Sequence, residues 1–215
     1  MIRPSLVLLL GAVVSIASAC GSTNNEARHR VVIGQRIVSP DHRSVVLERH
    51  VFVTQTGSTG YLYIGPVGAS AKRTVYSSND ACCSNLVWAT PRLIVFADDY
   101  RVKTVDVTTG RVRRIADFSN FSVSHDGRWV AGWANSGGHG PQTIAVVSIT
   151  GTNCRVLPRP KPADDSDPRF SADGRRLSFM RRRYDPKLNE DTSSGHVLTV
   201  PVMNLRRTSA RDGVC

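Results

Sequence analysis

The stretch Phe170-Ser171-Ala172-Asp173-Gly174-Arg175-Arg176-Leu177-Ser178-Phe179 reads as an apolar lead-in, a Ser-x-Asp-Gly reversal and an outgoing strand of alternating apolar residues. The phrase recurs as Val123-Ser124-His125-Asp126-Gly127-Arg128-Trp129-Val130-Ala131 and, more loosely, as Val38-Ser39-Pro40-Asp41-His42-Arg43-Ser44-Val45-Val46. Asp126 and Asp173 stand 47 residues apart; Asp41 and Asp126 stand 85 apart, close to two such steps. A worn copy fills the gap at Trp88-Ala89-Thr90-Pro91-Arg92-Leu93-Ile94-Val95-Phe96, where Pro91 replaces the Asp-Gly pair. Asp-Gly reverses a chain because glycine accepts positive φ at little cost and Asp bonds its own local backbone.

A period in the forties built on hairpin reversals is the signature of a propeller blade. Each block parses into four strands. Block one gives 36–39, 44–53, 60–65 and 72–76; block two gives 85–89, 92–97, 101–107 and 110–118. Block three gives 121–124, 128–133, 143–149 and 154–157, and block four 168–171, 175–180, 196–202 and 205–209. The third strand of a block, as in Ile144-Ala145-Val146-Val147 or Tyr61-Leu62-Tyr63-Ile64, is a nearly continuous apolar run, as expected between two neighbouring sheets. The fourth, as in Arg111-Val112-Arg113-Arg114-Ile115, alternates in charge as an edge strand facing solvent should. Such units bury their faces by stacking on one another. The expected fold class is all-β: a small β-propeller, or part of one, of about four four-stranded blades.

The chain has 215 residues, enough for one such array, and carries 28 Lys and Arg against 17 Asp and Glu. Only Lys72, Lys103, Lys161 and Lys187 among the cations are lysines. The arginines recur beside the reversals (Arg43, Arg92, Arg128, Arg175) and on exposed strands (Arg111, Arg113, Arg114, Arg206, Arg207). Nucleic-acid binding would gather the charge on one face with aromatics interleaved, so no nucleic acid is expected. A net charge of +11 suits anionic lipid headgroups or envelope polymers, because charge governs non-specific association, and equally suits solvated arginines in an Arg-biased genome.

Residues 1–19 read as an export signal. Arg3 is its basic start, Leu6 to Val14 its apolar run, and Ala17-Ser18-Ala19 its small residues before Cys20. The apolar run falls short of the ~20 residues that span a bilayer. The small residues ending at Cys20 resemble the lipobox of bacterial lipoproteins, with Ala17 where leucine is most common. That resemblance implies lipidation of Cys20 and a protein exported and held to the extracytoplasmic face of a bacterial membrane. Residues 20–28 then form the lipidated cysteine and a polar tether, and residues 29–215 the folded domain.

The Ser-x-Asp-Gly turn, the apolar strand after it, the Ile-x-Val third strand and the Arg-rich fourth strand look like TolB-type propeller repeats, over roughly residues 36–210. The resemblance implies a scaffold for a protein or an envelope-polymer partner, with rim contacts at Asp41, Asp126 and Asp173. TolB-type propellers usually have six blades or more, and four are found here. The ring either closes with four blades, His29–Ile33 sealing block four as its last strand, or is an open arc completed by another chain and so a possible homo-oligomer.

Export implies an oxidising compartment in which Cys82, Cys83, Cys154 and Cys215 are candidate disulfide formers. One of the adjacent pair bridged to Cys215 is the favoured pairing; a vicinal bridge and free thiols are the alternatives. No Cys or His spacing suits zinc, and neither a metal nor a cofactor is expected. Asp164-Asp165-Ser166-Asp167 reads as a solvated turn more than a calcium loop, with Arg181–Arg183 at hand to neutralise it. Ser124-His125-Asp126 holds the residue types of a hydrolase triad, but consecutive strand residues point to opposite faces. No catalytic residue is assigned. His139, in a glycine-rich loop, reads as an ordinary exposed residue. The expected function is non-catalytic binding or scaffolding in the cell envelope. The alternative, a propeller subunit of a carbohydrate-active enzyme or a peptidase, requires two carboxylates converging in a rim pocket, or a nucleophile.

Overall fold

The computed structural model describes residues 29–53, 57–70, 72–79, 82–134, 142–158, 163–185, 187, 190–191 and 194–208. The export signal, Cys20, the tether, His139 and Cys215 lie outside the described residues.

Four antiparallel sheets follow one another along the chain. The first holds β1 (His29–Val38), β2 (Ser44–Val53), β3 (Gly57–Pro66) and β4 (Arg73–Ser78), paired in that order. The second holds β5 (Ser84–Thr90), β6 (Leu93–Asp98), β7 (Arg101–Asp106) and β8 (Val112–Ala116). The third contains β9 (Ser119–Val123), β10 (Trp129–Ala134), β11 (Thr143–Ser148) and β12 (Cys154–Val156). The fourth contains β13 (Ala163–Phe170), β14 (Arg176–Asp185), the short β15 (Glu190–Asp191) and β16 (His196–Pro201). A 3₁₀ turn over Val202–Asn204 leads to β17 (Arg206–Thr208).

The sheets stack face to face, and apolar residues fill each junction. Val46, Leu62 and Ile64 of the first sheet meet Leu86, Ile94 and Phe96 of the second. Val95, Val102 and Ile115 meet Val130, Ala145 and Val147 of the third. Ala131, Ile144 and Val146 meet Leu177 and Phe179 of the fourth. The strands of the inner sheets are therefore apolar on both faces: Ile144 to Val147 are all fully buried. The corresponding Tyr61 and Tyr63 of β3 are only half-buried, because their side of the first sheet has no neighbour among the described residues.

Two expectations about closure are corrected. Residues His29–Ile33 are the first part of β1 and pair with β2, His29 opposite Val53 and Ile33 opposite Arg49. They do not seal block four. The expected last strand of block four, now β17, pairs instead with β12, Arg207 opposite Arg155, as a fifth strand of the third sheet. The 3₁₀ turn after β16 carries the chain across the junction, where Val202 and Leu205 are buried between the third and fourth sheets. Among the described residues no apolar cluster joins the fourth sheet to the first. Among the described residues the blades form an open arc.

Candidate binding site at the turn rim

The repeated reversals share one hydrogen-bond pattern. Ser39, Ser124 and Ser171 each donate a hydroxyl to Oδ1 of the aspartate two residues on, at 2.6, 2.7 and 2.6 Å. The same oxygens of Asp41, Asp126 and Asp173 accept the amides of Arg43, Arg128 and Arg175. Each serine oxygen in turn accepts the amide five residues on, from Ser44, Trp129 and Arg176. The serine hydroxyl, and after it the arginine amide, holds each aspartate below the ordinary carboxylate range. The motif is thus a closed local circuit that fixes the reversal. In the worn copy Thr90 takes the aspartate's part, accepting the Arg92 amide at 3.3 Å.

The reversals after β1, β5 and β9 enclose a cleft of about 540 Å³ where three successive innermost strands end. Val87, Trp88 and Ala89 of β5 and Val123 of β9 supply apolar walls; Pro40, Thr90 and Pro91 line its mouth with Ser124, His125 and Asp126. The Trp88 indole N–H donates to the carbonyl of Ile37 at 3.5 Å, tying the second blade to the first. Gly127 makes the approach possible: its φ is +67°, and a Cβ there would collide with the carbonyl oxygen of Ala89.

Of the expected rim contacts, Asp126 lines this cleft; Asp41 and Asp173 lie outside it, at the equivalent reversals of the first and fourth blades. Ser124, His125 and Asp126 form no relay, since the Ser124 hydroxyl is bonded to Asp126 and His125 is exposed. One carboxylate lines the cleft.

The cysteine expectation is corrected too. Cys82 is bridged to Cys83, not to Cys215, and both are buried between the first two blades. Gly60 leaves the room: a Cβ there would fall 2.5 Å from the Cys82 sulfur. Cys154 is disulfide-bonded as well. Asp164–Asp167 is no solvated turn either. It lies in β13, where Asp165 is fully buried and held bidentately by Arg181, at 2.6 and 2.8 Å. The chain buries this aspartate because a planar guanidinium matches both its oxygens.

Two polar clusters between blades one and two were missed. Tyr76 donates to Asp98 at 2.5 Å, and the Lys103 ammonium donates to the Tyr76 hydroxyl at 2.7 Å and to Asp98. Burial opposes ionisation of Asp98, but hydrogen bonds from Lys103 and Tyr76 outweigh it and lower its pKa; the reciprocal bonds raise that of Lys103. The signal was an aspartate ending an apolar strand with a lysine just past the tight reversal Asp98–Arg101. Nearby, His50 Nε2 lies 2.6 Å from Glu48, whose other oxygen accepts the Gln35 amide.

No protein-family model matches the chain, and neither does any curated protein. Solved structures do match. A putative dipeptidyl aminopeptidase IV from Bacteroides ovatus superposes with a TM-score of 0.59 at 10% identity, over 82% of this chain and 28% of that one. Puromycin hydrolase gives 0.58 at 14%, over 84% and 28%. An oligogalacturonate lyase in complex with manganese gives 0.56 at 10%, over 86% and 54%. The fold is a β-propeller. Its four blades span little more than a quarter of the aminopeptidase and puromycin hydrolase chains and about half of the lyase. At such identities the likeness is one of fold.

Proposed function

We propose that this propeller arc is a non-catalytic binding module of the bacterial cell envelope, of the TolB type, exported and tethered to a membrane through a lipidated Cys20. The observation that supports it is the turn-rim cleft. Its walls are apolar, it offers Trp88 and Pro91 as contact surface, and its polar side is confined to one edge at Ser124, His125 and Asp126. Clefts of this composition suit an apolar or aromatic side chain of a protein partner, oriented by a few polar groups. The alternative enzyme-subunit reading asks for two carboxylates or an activated nucleophile. Asp126 stands alone in the cleft, and the Ser124 hydroxyl is committed to it.

A photoreactive amino acid in place of His125, in cells expressing the full chain, is expected to yield a discrete cross-linked partner. The same probe in place of exposed Arg207, on the outer edge of the third blade, is expected to yield none. Equal cross-linking from both positions, or turnover of a peptide or glycan abolished by Asp126→Asn, overturns the reading. The mass of the mature N-terminal peptide tests Cys20 separately.

A further inference from the structure

The two ends of the arc are built differently. On the far face of the fourth blade, Arg176, Ser178, Met180 and Arg182 of β14 alternate with the buried Leu177 and Phe179, and Arg169 and Thr199 are exposed beside them. Val197, in register with Met180, is exposed on that face too. The free face of the first blade gathers more apolar residues. The register places Val31, Ile33 and Val38 of β1 beside Leu47 and Val51 of β2 and Tyr61 and Tyr63 of β3. Val31 is 45% exposed, Ile33 66% and Val38 38%. Arg36 and Arg49 are the charged residues at outward positions, and no Asp or Glu occupies one among the described strands of this blade.

Charge decides what fits there. A second copy docked face to face would bring Arg36 and Arg49 against their own counterparts. A copy docked head to tail would bring them against Arg169 and Arg176. Either arrangement sets arginine against arginine and desolvates like charges. An anionic lipid surface meets both demands, since its headgroups pair with guanidinium while valine, isoleucine and tyrosine side chains sit at the acyl boundary. The sheet's backbone groups are already paired with one another, so only side chains need enter. Cys20 stands nine residues before His29, a reach of at most ~30 Å when fully extended.

We infer that the outward face of the first blade lies on an anionic bilayer, setting the arc edge-on to the membrane with its turn-rim cleft free at the side. This rests on the reading that Cys20 is acylated, and the test separates the two. An environment-sensitive fluorescent amino acid replaces Ile33, or Val197 on the fourth blade (64% exposed), in the full chain. Each chain is mixed with vesicles of phosphatidylcholine alone or of equal parts phosphatidylcholine and phosphatidylglycerol. Flotation and the N-terminal mass report the anchor; the probe reports the face. The Ile33 probe is expected to shift to the blue and to be quenched by brominated lipid in the anionic vesicles only. Arg36→Glu is expected to weaken this by about tenfold, from loss and reversal of one charge near the surface. The Val197 probe is expected not to respond. An Ile33 probe that stays in water among anionic vesicles overturns the inference, with or without an acyl group on Cys20. So does one that shifts with protein concentration and no lipid, which would make the face a dimer interface.

Discussion

The serine of each reversal does more than the aspartate that draws the eye. Ser124 is 3% exposed, donates to Asp126 and accepts the Trp129 amide. Ser124→Ala strands that amide and releases Asp126, so stability should fall by about 1–2 kcal/mol in denaturant titration. The Asp126 carboxyl should rise toward its ordinary value in an NMR pH titration, because the Ser124 bond is the largest cause of its depression. The sign of the linkage follows. A carboxyl depressed in the folded state contributes stability above its unfolded pKa, about 4, and loses it as pH falls through the lower folded value. The variant should therefore show a shallower acid limb. Gly127→Ala should cost about 2–3 kcal/mol, since it adds strain at positive φ to a collision with Ala89, read as a lower Tm.

At the scale of the strand, the charged residues inside the stack matter most. Asp165 on β13 is fully buried and paired with Arg181 on β14, and Asp165→Asn leaves a guanidinium without its counter-charge. About 3–5 kcal/mol should be lost at neutral pH, by thermal or chemical unfolding. Asp98 and Lys103 bracket pH from both sides. Asp98, lowered, loses its contribution as pH falls through its folded pKa; Lys103, raised, keeps its contribution below about 10.4 and loses it as pH rises through its folded value. Lys103→Met should remove the alkaline loss attributable to this residue while leaving Tyr76 bonded to Asp98, a difference visible in stability measured across pH. β17 offers a separate test. Arg207→Pro removes a strand amide where β17 meets β12, and hydrogen exchange at Cys154–Val156 should quicken while β10 is unchanged.

At the scale of the molecule, the strand order was largely legible and the closure was not. Sixteen of the seventeen strands among the described residues overlap the stretches where alternation and the Ser-x-Asp-Gly phrase put them, all but β15, because the local circuits of Ser39, Ser124 and Ser171 are complete within six residues. Asp126 belongs to the cleft because it is the reversal packed against Ala89; nothing in its own phrase distinguishes it from Asp173. The misread features share a cause. Asp164–Asp167 looked solvated because aspartates usually are, and Arg181, sixteen residues on, is what permits burial. Cys82 and Cys83 are neighbours in the chain, but the room for their bridge comes from Gly60 on another strand.

What the sequence alone determined is the repeating unit, because side-chain period and turn chemistry act over neighbours in the chain. The tertiary structure decided which faces are covered. β14 alternates and ends the stack, while β2 carries apolar residues on both faces and leaves one bare. Partner choice for β17 was likewise settled in space, where burying Val202 and Leu205 between blades outweighed extending the fourth sheet. Burial depends on what stands opposite a side chain, and that is a property of the assembled stack.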